Sequence, residues 1–422
     1  MKSNIIEFEK FKIETNNKVF SPRIDVEIFV QAIQGIIRKD SKILELGTGT
    51  GAISIALAKN YKDISILATD INKFAIKIAK KNSEINKVDL SVNSKLVKEK
   101  DSTGTEELNL KIAFLMDPFE KLDLKGDTTF ALALEAQERK HEISFFTPDD
   151  LFLKSGQIFA NICKIELSSD NETPDYKYYD KIILPLNNYD VILMRQDPPF
   201  NMSYITATHI LEKLSDSVLI VNNPHEVRNA PEKIFVTNFS HLMPKTLISR
   251  DPKIIKSFRD EYNDIIIKPL YGNGGEGVFH VLPNDENFNS ILEMFFARNK
   301  EPLMIQEYLS DVRNGDKRII LVNGEVVGAI NRIPRKGESR SNMHVGGKPE
   351  KTTLTKRDKF ICNEISQPLK DKELYFVGID IIGDFITEIN VTSPTGIREI
   401  RSYETIAIEE IFWDFIENKL NI

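Results

Sequence analysis

Residues 377–395, VGIDIIGDFITEINVTSPT, leave the chain few options. Gly383-Asp384 is a turn signal between two short runs of β-branched and aromatic residues, so the stretch reads as two strands of a hairpin. Side chains of a strand alternate between its faces. Val377, Ile379 and Ile381 therefore share one face, and Gly378, Asp380 and Ile382 the other. In the second strand Ile389 and Val391 oppose Glu388 and Asn390. With both apolar sets in one core, Asp380, Glu388 and Asn390 emerge together on the opposite face. A strict two-residue turn would pair Ile379 with Glu388 and break this arrangement, so the spacing predicts an odd-length turn or a β-bulge. Two carboxylates and a carbonyl oxygen are hard ligands, suited to Mg²⁺ and substrate phosphates rather than to zinc or copper. The competing reading of the hairpin alone is a half-exposed element with solvated acids.

At 422 residues the chain exceeds what one core usually serves, so two or three domains are expected. No run approaches the roughly 20 apolar residues of a membrane span, and MKSNIIEFEKFKIE carries no apolar signal segment. The expectation is a cytoplasmic protein with no membrane partner. Cys163 and Cys362 stand far apart with no CxxC or Cys/His grouping, which argues against a disulfide framework or structural zinc. The six histidines are equally scattered and none is assigned to catalysis. A net charge of -7 disfavours nucleic acid as the main partner, and the lysines between 73 and 100 read as a solvated helix face.

KILELGTGTGAISIALAK is a strand, a glycine-rich turn and a helix with Ile53, Ala56 and Leu57 at helical spacing. Glycines at 47, 49 and 51 allow close backbone approach, and Asp70, at the end of the next strand, is placed to take ribose hydroxyls. The turn lacks the Lys-Ser/Thr of a triphosphate loop. Glu45-x-Gly47-x-Gly49-x-Gly51 with Asp70, preceded by VFSPRIDVEIFVQAI, resembles the start of the S-adenosylmethionine (SAM)-dependent release-factor glutamine methyltransferases, over about residues 15–90. The resemblance implies that Gly47, Gly49, Gly51 and Asp70 are the SAM-binding positions. Such enzymes also need an Asn-Pro-Pro-Tyr type motif, and none occurs before residue 150, so residues 1–93 are expected to be a truncated unit without methyl transfer.

Residues 94–108 are polar and read as a linker. LKIAFLMDP then starts a second α/β unit with a mainly parallel sheet, continuing through the helix and strand of TTFALALEAQERKHEISFF, the strand VILMRQDPPF, the helix YITATHILEKL and the strand SVLIVNNP. From Pro231 the texture changes to strands and turns, read as EKIFVTNF, IIIKPLYGNGGEGVFHV, LMIQEYL and GDKRIILVNGEVVGAINRIP. Gly272-x-Gly274-x-x-Gly277 matches a dinucleotide fingerprint in form only. Its glycines join two strands, so they make a hairpin tip able to close over phosphates.

In order, Lys233, Lys268 before the glycine-rich tip, Gln306-Glu307-Tyr308-Leu309, Asp316-x-Arg318 and the set Asp380, Glu388, Asn390 resemble the ATP-grasp fold, and within it the prokaryotic glutathione synthetases, over about residues 109–422. DPPF at 197–200 belongs to this pattern and not to a methyltransferase. The expected architecture is α/β and α+β multidomain: a truncated Rossmann-like unit, a small α/β domain over 109–230, and an ATP-grasp domain over 231–422. The resemblance implies ATP phosphates at Lys233, Lys268, Gly272, Gly274 and Gly275. It implies adenine and ribose at Gln306, Glu307, Tyr308 and Leu309, with Asp316 also at the nucleotide, and Mg²⁺ or Mn²⁺ at Asp380, Glu388 and Asn390. Arg318, Arg332, Arg340, Arg398 and the loop 333–348 would handle substrate carboxylates and the acyl phosphate, with Arg195 a further peptide contact.

The implied reaction joins γ-glutamylcysteine to glycine, and the implied assembly is a homotetramer. Phosphoryl transfer needs in-line positioning and charge neutralisation, which lysines, arginines and a divalent cation supply without a covalent nucleophile. An acyl phosphate hydrolyses if wet, so covers are expected at 272–277 and 336–347. The alternatives are another ATP-grasp carboxylate-amine ligase, a SAM-binding or methyl-transferring role for the N-terminal unit, or a fused segment that serves only packing.

Overall fold

The computed structural model describes residues 4–8, 11–15, 19, 22, 24–33, 36–70, 73–88, 90–93, 109–170, 173–272, 274–338, 340–342, 346–404 and 406–420. The chain divides into two compact units, Met1–Glu107 and Leu108–Ile422. The expected linker, 94–108, lies outside the described residues.

In the first unit an antiparallel pair, β1 (Asn4–Phe8) and β2 (Phe11–Thr15), precedes α1 (Ile24–Ile33). A strictly alternating β3–α2–β4–α3–β5 follows: Lys42–Leu46, Ala52–Asn60, Ser65–Thr69, Lys73–Ile85 and Ser91–Asn93. All three strands are parallel in the order β3-β4-β5. Asn82 on α3 bonds the backbone of Glu14 at 2.7 and 3.0 Å and the Thr50 carbonyl at 3.0 Å, so the hairpin and the glycine turn are tied to one helix. The two or three strands expected here are three, and the β1-β2 hairpin adds to them.

The second unit opens with β6 (Lys111–Leu115), α4 (Thr128–Glu138) and β7 (Glu142–Phe146). Four antiparallel strands come next: β8 (Leu151–Lys154), β9 (Gln157–Asp170), β10 (Thr173–Tyr178) and β11 (Ile182–Pro185). Then follow β12 (Val191–Met194), α5 (Met202–Glu212), β13 (Leu219–Val221) and α6 (Pro224–Asn229). β7, β6, β12 and β13 form the expected parallel sheet, and β9 continues it in the antiparallel sense. Alternate residues of β6, Ile112 with Phe114 and Ala113 with Leu115, are buried on both faces, as an interior parallel strand requires.

The segment EKIFVTNF departs from its expected strand. It forms α7 (Glu232–Phe235) and then 3₁₀ turns over Val236–Leu242. Val236, Phe239 and Leu242 are buried at a spacing of three, the 3₁₀ period, and Phe235 from the preceding helical turn is buried with them. The adjacent apolar Ile234, Phe235 and Val236 imitate a strand, but burial follows the helical spacing. Lys233 therefore projects from a helix.

Two antiparallel sheets complete the unit. One has the order β14-β17-β15-β16, from β14 (Thr246–Ser249), β15 (Ile265–Pro269), β16 (Phe279–Val281) and β17 (Leu303–Glu307), with α8 (Pro252–Tyr262) and α9 (Phe288–Arg298) between its strands in the chain. The other has the order β20-β19-β18-β21-β22, from β18 (Asp316–Val322), β19 (Glu325–Ile333), β20 (Lys348–Lys351), β21 (Phe376–Ile382) and β22 (Phe385–Asn390). Helix α10 (Lys356–Asp371) enters through a capping box of Thr355 and Asp358. Helices α11 (Ile397–Tyr403) and α12 (Ile408–Lys419) close the chain, and Trp413 is fully buried with its indole N–H on the Leu132 carbonyl at 2.7 Å.

The hairpin β21-β22 has the predicted irregularity. Ile382 faces Phe385 and Ile381 faces Ile386 across a two-residue turn, and a bulge then lets Asp380 face Glu388 and Gly378 face Asn390. Thr387 is the extra residue. Buried Asn222 fixes the hairpin to the parallel sheet: its side chain donates to the carbonyls of Phe376 (2.8 Å) and Val391 (2.7 Å) and accepts from Phe376 N–H (2.8 Å).

Candidate active site

A cavity of about 480 Å³ opens between the two antiparallel sheets, a volume typical of small-ligand sites. Alternation assigns its walls. In β15, Ile265 and Ile267 enter the core, so Ile266 and Lys268 face the cavity, and Gln306, which pairs with Ile266, joins them from β17. In the other sheet Arg318, Asp380 and Glu388 stand side by side across β18, β21 and β22, and Asp316 pairs with Arg332. The register sets Arg318 beside Asp380 and leaves Asp380 facing a second carboxylate, Glu388, on its other side. Gly378 permits it: a Cβ there would lie 3.3 Å from Cδ of Arg318 and 2.9 Å from Pro394.

The contacts form two linked groups. Arg318 grips Asp380 with Nε at 2.6 Å and Nη2 at 3.0 Å, and Arg332 reaches Asp380 at 3.0 Å and Asp316 at 2.7 Å. Ser341 Oγ donates to Asp316 at 2.5 Å. Glu388 Oε1 lies 3.6 Å from the Lys233 ammonium and 3.4 Å from that of Lys268. Lys233 also touches the carboxylate of Glu232 and donates to the Gly272 carbonyl at 2.6 Å.

Electrostatics follow from burial set against these partners. Burial alone would raise the Asp380 pKa, but Arg318 and Arg332 outweigh it and hold the carboxyl far below its usual range. Lys233 and Lys268 do the same for Glu388. Burial lowers Lys268 despite Glu388, whereas for Lys233 the pull of Glu388 and Glu232 outweighs burial and raises it. Burial raises Glu232 against the pull of Lys233, and repulsion from Glu388 adds to the rise. Burial likewise raises Asp316 against Arg332.

The remaining sequence candidates fall in two sets. Gly272, Gly274, Gly275, Glu307, Tyr308, Leu309, Arg340 and Asn390 line the cavity. Gln306 Nε2 donates to Thr246 Oγ1 at 3.0 Å, Glu307 accepts from Lys245 N–H at 2.9 Å, and Tyr308 stacks on His280 at 3.8 Å. The two expected covers meet where Arg340 donates to the Gly275 carbonyl at 3.3 Å; of these segments, residues 273, 339 and 343–345 lie outside the described set.

Arg398 and Arg195 are not brought to the cavity. Arg398 leaves α11 toward the Phe130 ring, 6.0 Å away, and it is the next residue, Glu399, that enters the wall. Arg195 is buried behind the wall, bonding Thr129 Oγ1 and the Pro394 carbonyl at 3.0 Å each. It shapes the segment after β22 and does not face the cavity. Sequence reasoning missed Glu232, Asp123, Asp127, Asp197 and Glu399 in the wall. Glu232, beside Lys233, Asp197, in DPPF, and Glu399, beside Arg398, each adjoined a recognised motif, whereas Asp123 and Asp127 did not.

Asp380, Glu388 and the Asn390 amide fit a hard divalent cation in donor chemistry, and both carboxyls are held ionised. Among the described residues no cluster of three His, Cys, Asp or Glu side chains is placed to hold a metal, so the amide oxygen is needed as third ligand. Two arginines and two lysines neutralise these carboxylates.

The family models for the prokaryotic glutathione synthetase N-terminal and ATP-grasp domains match residues 110–228 and 232–405. The glutathione synthetase of Mesorhizobium japonicum is 53% identical over 312 residues, covering 74% of this chain and 99% of its own length. The chain belongs to the prokaryotic glutathione synthetase family. Other members include the enzymes of Agrobacterium fabrum, 52% identical over 73% of this chain and 96% of theirs, and Coxiella burnetii, 40% identical over 74% and 98%. Among solved structures, a D-cycloserine synthetase superposes with a TM-score of 0.54 at 12% identity, over 73% of this chain and 99% of its own, a likeness of fold. The chain is an ATP-dependent carboxylate-amine ligase by this membership.

Residues 10–112 match the methyltransferase small domain model. There Gly47, Gly49 and Gly51 all have positive φ (75°, 56° and 79°), and Asp70 accepts from Gly49 N–H at 2.7 Å. Glu45 accepts from Thr48 at 2.8 Å and from Ser54, and burial raises its pKa. No helix among the described residues is long and apolar enough to cross a membrane.

Proposed function

We propose that this chain condenses γ-glutamylcysteine with glycine at the expense of ATP, giving glutathione, ADP and phosphate. The observation that carries the reading is the convergence of Lys233, Lys268, Arg318 and Arg332 on Asp380 and Glu388 within one cavity. A carboxylate and an amine do not condense in water unless the carboxylate is activated. The cysteinyl carboxylate attacks the γ-phosphorus and ADP departs. Glycine nitrogen then attacks the acyl carbon, the carbon–oxygen bond to phosphate breaks, and the ammonium gives up two protons on its way to the amide.

Lys233 and Lys268 hold phosphate oxygens, and the Arg318 and Arg332 forks take substrate carboxylate and developing negative charge. Held by Asp380, Glu388 and Asn390, Mg²⁺ or Mn²⁺ would neutralise charge on the transferring phosphoryl group. The tip at 272–277 and the Arg340 loop exclude water from the acyl phosphate. A cytoplasmic location and a homotetramer complete the proposal by family resemblance. Purified protein with ATP, Mg²⁺, γ-glutamylcysteine and glycine should release phosphate and form the tripeptide. Phosphate release equal to that of a reaction lacking the dipeptide would remove the reading, and other carboxylates and amines in the same assay would reveal a different ligase.

The relatives align over about 312 residues, so the ligase is expected to reside in residues 108–422. That fragment should turn over within about threefold of the full chain, a difference under 1 kcal/mol in barrier. The glycine turn and Asp70 support SAM as ligand of the first unit. Calorimetric titration of SAM should give heat with the full chain and none with residues 108–422; equal results for both proteins would exclude that unit as the binder.

A further inference from the structure

Lys233 and Lys268 approach one carboxylate oxygen, Glu388 Oε1, yet their surroundings differ. Among the described residues Lys268 has no second carboxylate in contact, whereas the Lys233 ammonium also touches Glu232 and donates to the carbonyl of Gly272 at 2.6 Å. Gly272 opens the tip of the hairpin between β15 and β16. Behind Glu232 a small apolar pocket of about 20 Å³, room for a single water, is walled by Phe200, Leu270 and Tyr271, and the Phe200 and Tyr271 rings stack at 6.3 Å. An ion pair backed by such a wall is poorly screened, which strengthens it.

A divalent cation held by Glu388 would offset the charge that both lysines share. It also removes the repulsion that Glu388 exerts on Glu232. Lys268 then keeps only the longer-range pull of Glu232 beside the nucleotide phosphate, while Lys233 keeps a protein anion and a carbonyl in direct contact. We propose that Glu232 is a positioning residue for nucleotide binding, holding the Lys233 ammonium against Gly272 so that this lysine meets the phosphate from a fixed point while Lys268 follows it. The assignment rests on the ligase reading for the identity of the phosphate donor. No catalytic step passes through Glu232 itself.

The test is a double-mutant cycle of Glu232→Gln and Lys233→Met in the full chain, read by calorimetry with Mg·ADP and by steady-state kinetics. Glu232→Gln should weaken Mg·ADP about tenfold, within the range by which contacting charged residues couple. The ATP KM should rise by the same factor, with kcat and the dipeptide KM little changed. In the Lys233→Met background the same change should have no further effect. Equal weakening in both backgrounds, or Mg·ADP affinity of Glu232→Gln within twofold of the parent, overturns the proposal. Should Glu232→Gln fail to fold, Glu232→Asp carries the same cycle, since losing one methylene withdraws the carboxylate while keeping its charge. Parent protein that binds Mg·ADP but does not ligate the dipeptide would sink the substrate reading and leave this assignment standing.

Discussion

Replacing Glu388 by alanine should reduce kcat/KM for ATP by about a hundred- to a thousandfold, the scale seen when one preorganised electrostatic group is removed from a transition state. One side chain serves three roles here. It is a candidate metal ligand, it neutralises Lys233 and Lys268, and it faces Asp380 beside the bulge. The alanine variant loses the donor that the cation needs and leaves two buried ammonium groups without their shared partner. Breaking a buried ion pair from one side costs about 3–5 kcal/mol, so the unliganded variant should also melt earlier. Isothermal titration with Mg·ADP, thermal denaturation and turnover together check this. Turnover within tenfold of the parent would mean that the cation is held elsewhere.

Replacing Asp380 by asparagine should act chiefly on stability. The asparagine keeps the shape of the residue but withdraws the charge that Arg318 grips through two nitrogens and Arg332 through one. Two buried guanidinium groups, neither able to lose its proton, are then left undercompensated, at a cost of about 3–5 kcal/mol. The sign of the pH dependence follows from the native carboxyl lying below its ordinary value of 3.8. Such a group contributes its full stabilisation above that ordinary value and loses it as pH falls through the lower native value. Parent and variant should therefore differ most at neutral pH and converge as pH drops below 3.8. Chemical denaturation at a series of pH values measures the gap; a constant gap down to acid would show that the charge of Asp380 is not the cause.

Much of the site was legible because strand alternation is local. The faces of β21 and β22, the row of Asp380, Glu388 and Asn390, and even the need for an irregular register followed from counting residues between Asp380 and Glu388. The glycine-rich hairpin between β15 and β16 also followed from local pattern. The strand reading of 232–239 failed because neighbouring apolar residues fit a strand or a tight helix equally, and only packing against the rest of the unit selects which of them are buried. The arginines at 195 and 398 were legible as arginines but not in direction. A long side chain can point into a cavity or behind its wall, and Thr129, Pro394 and Phe130, distant in sequence, decided that.

The sequence by itself determined the alternating α/β order of the first unit and of the parallel sheet of the second, the hairpin carrying the acid and amide oxygens, and the requirement for an odd-length turn or a bulge in it. Periodicity and turn chemistry act over a few residues, so they can be read there. Only the tertiary structure decided that Thr387 is the bulged residue, that Glu232 stands behind Lys233 against Gly272, and that two lysines and two arginines neutralise the carboxylates. Those pairings join side chains up to 155 positions apart (233 to 388), and a buried charge takes whatever partner the packed sheets bring within reach.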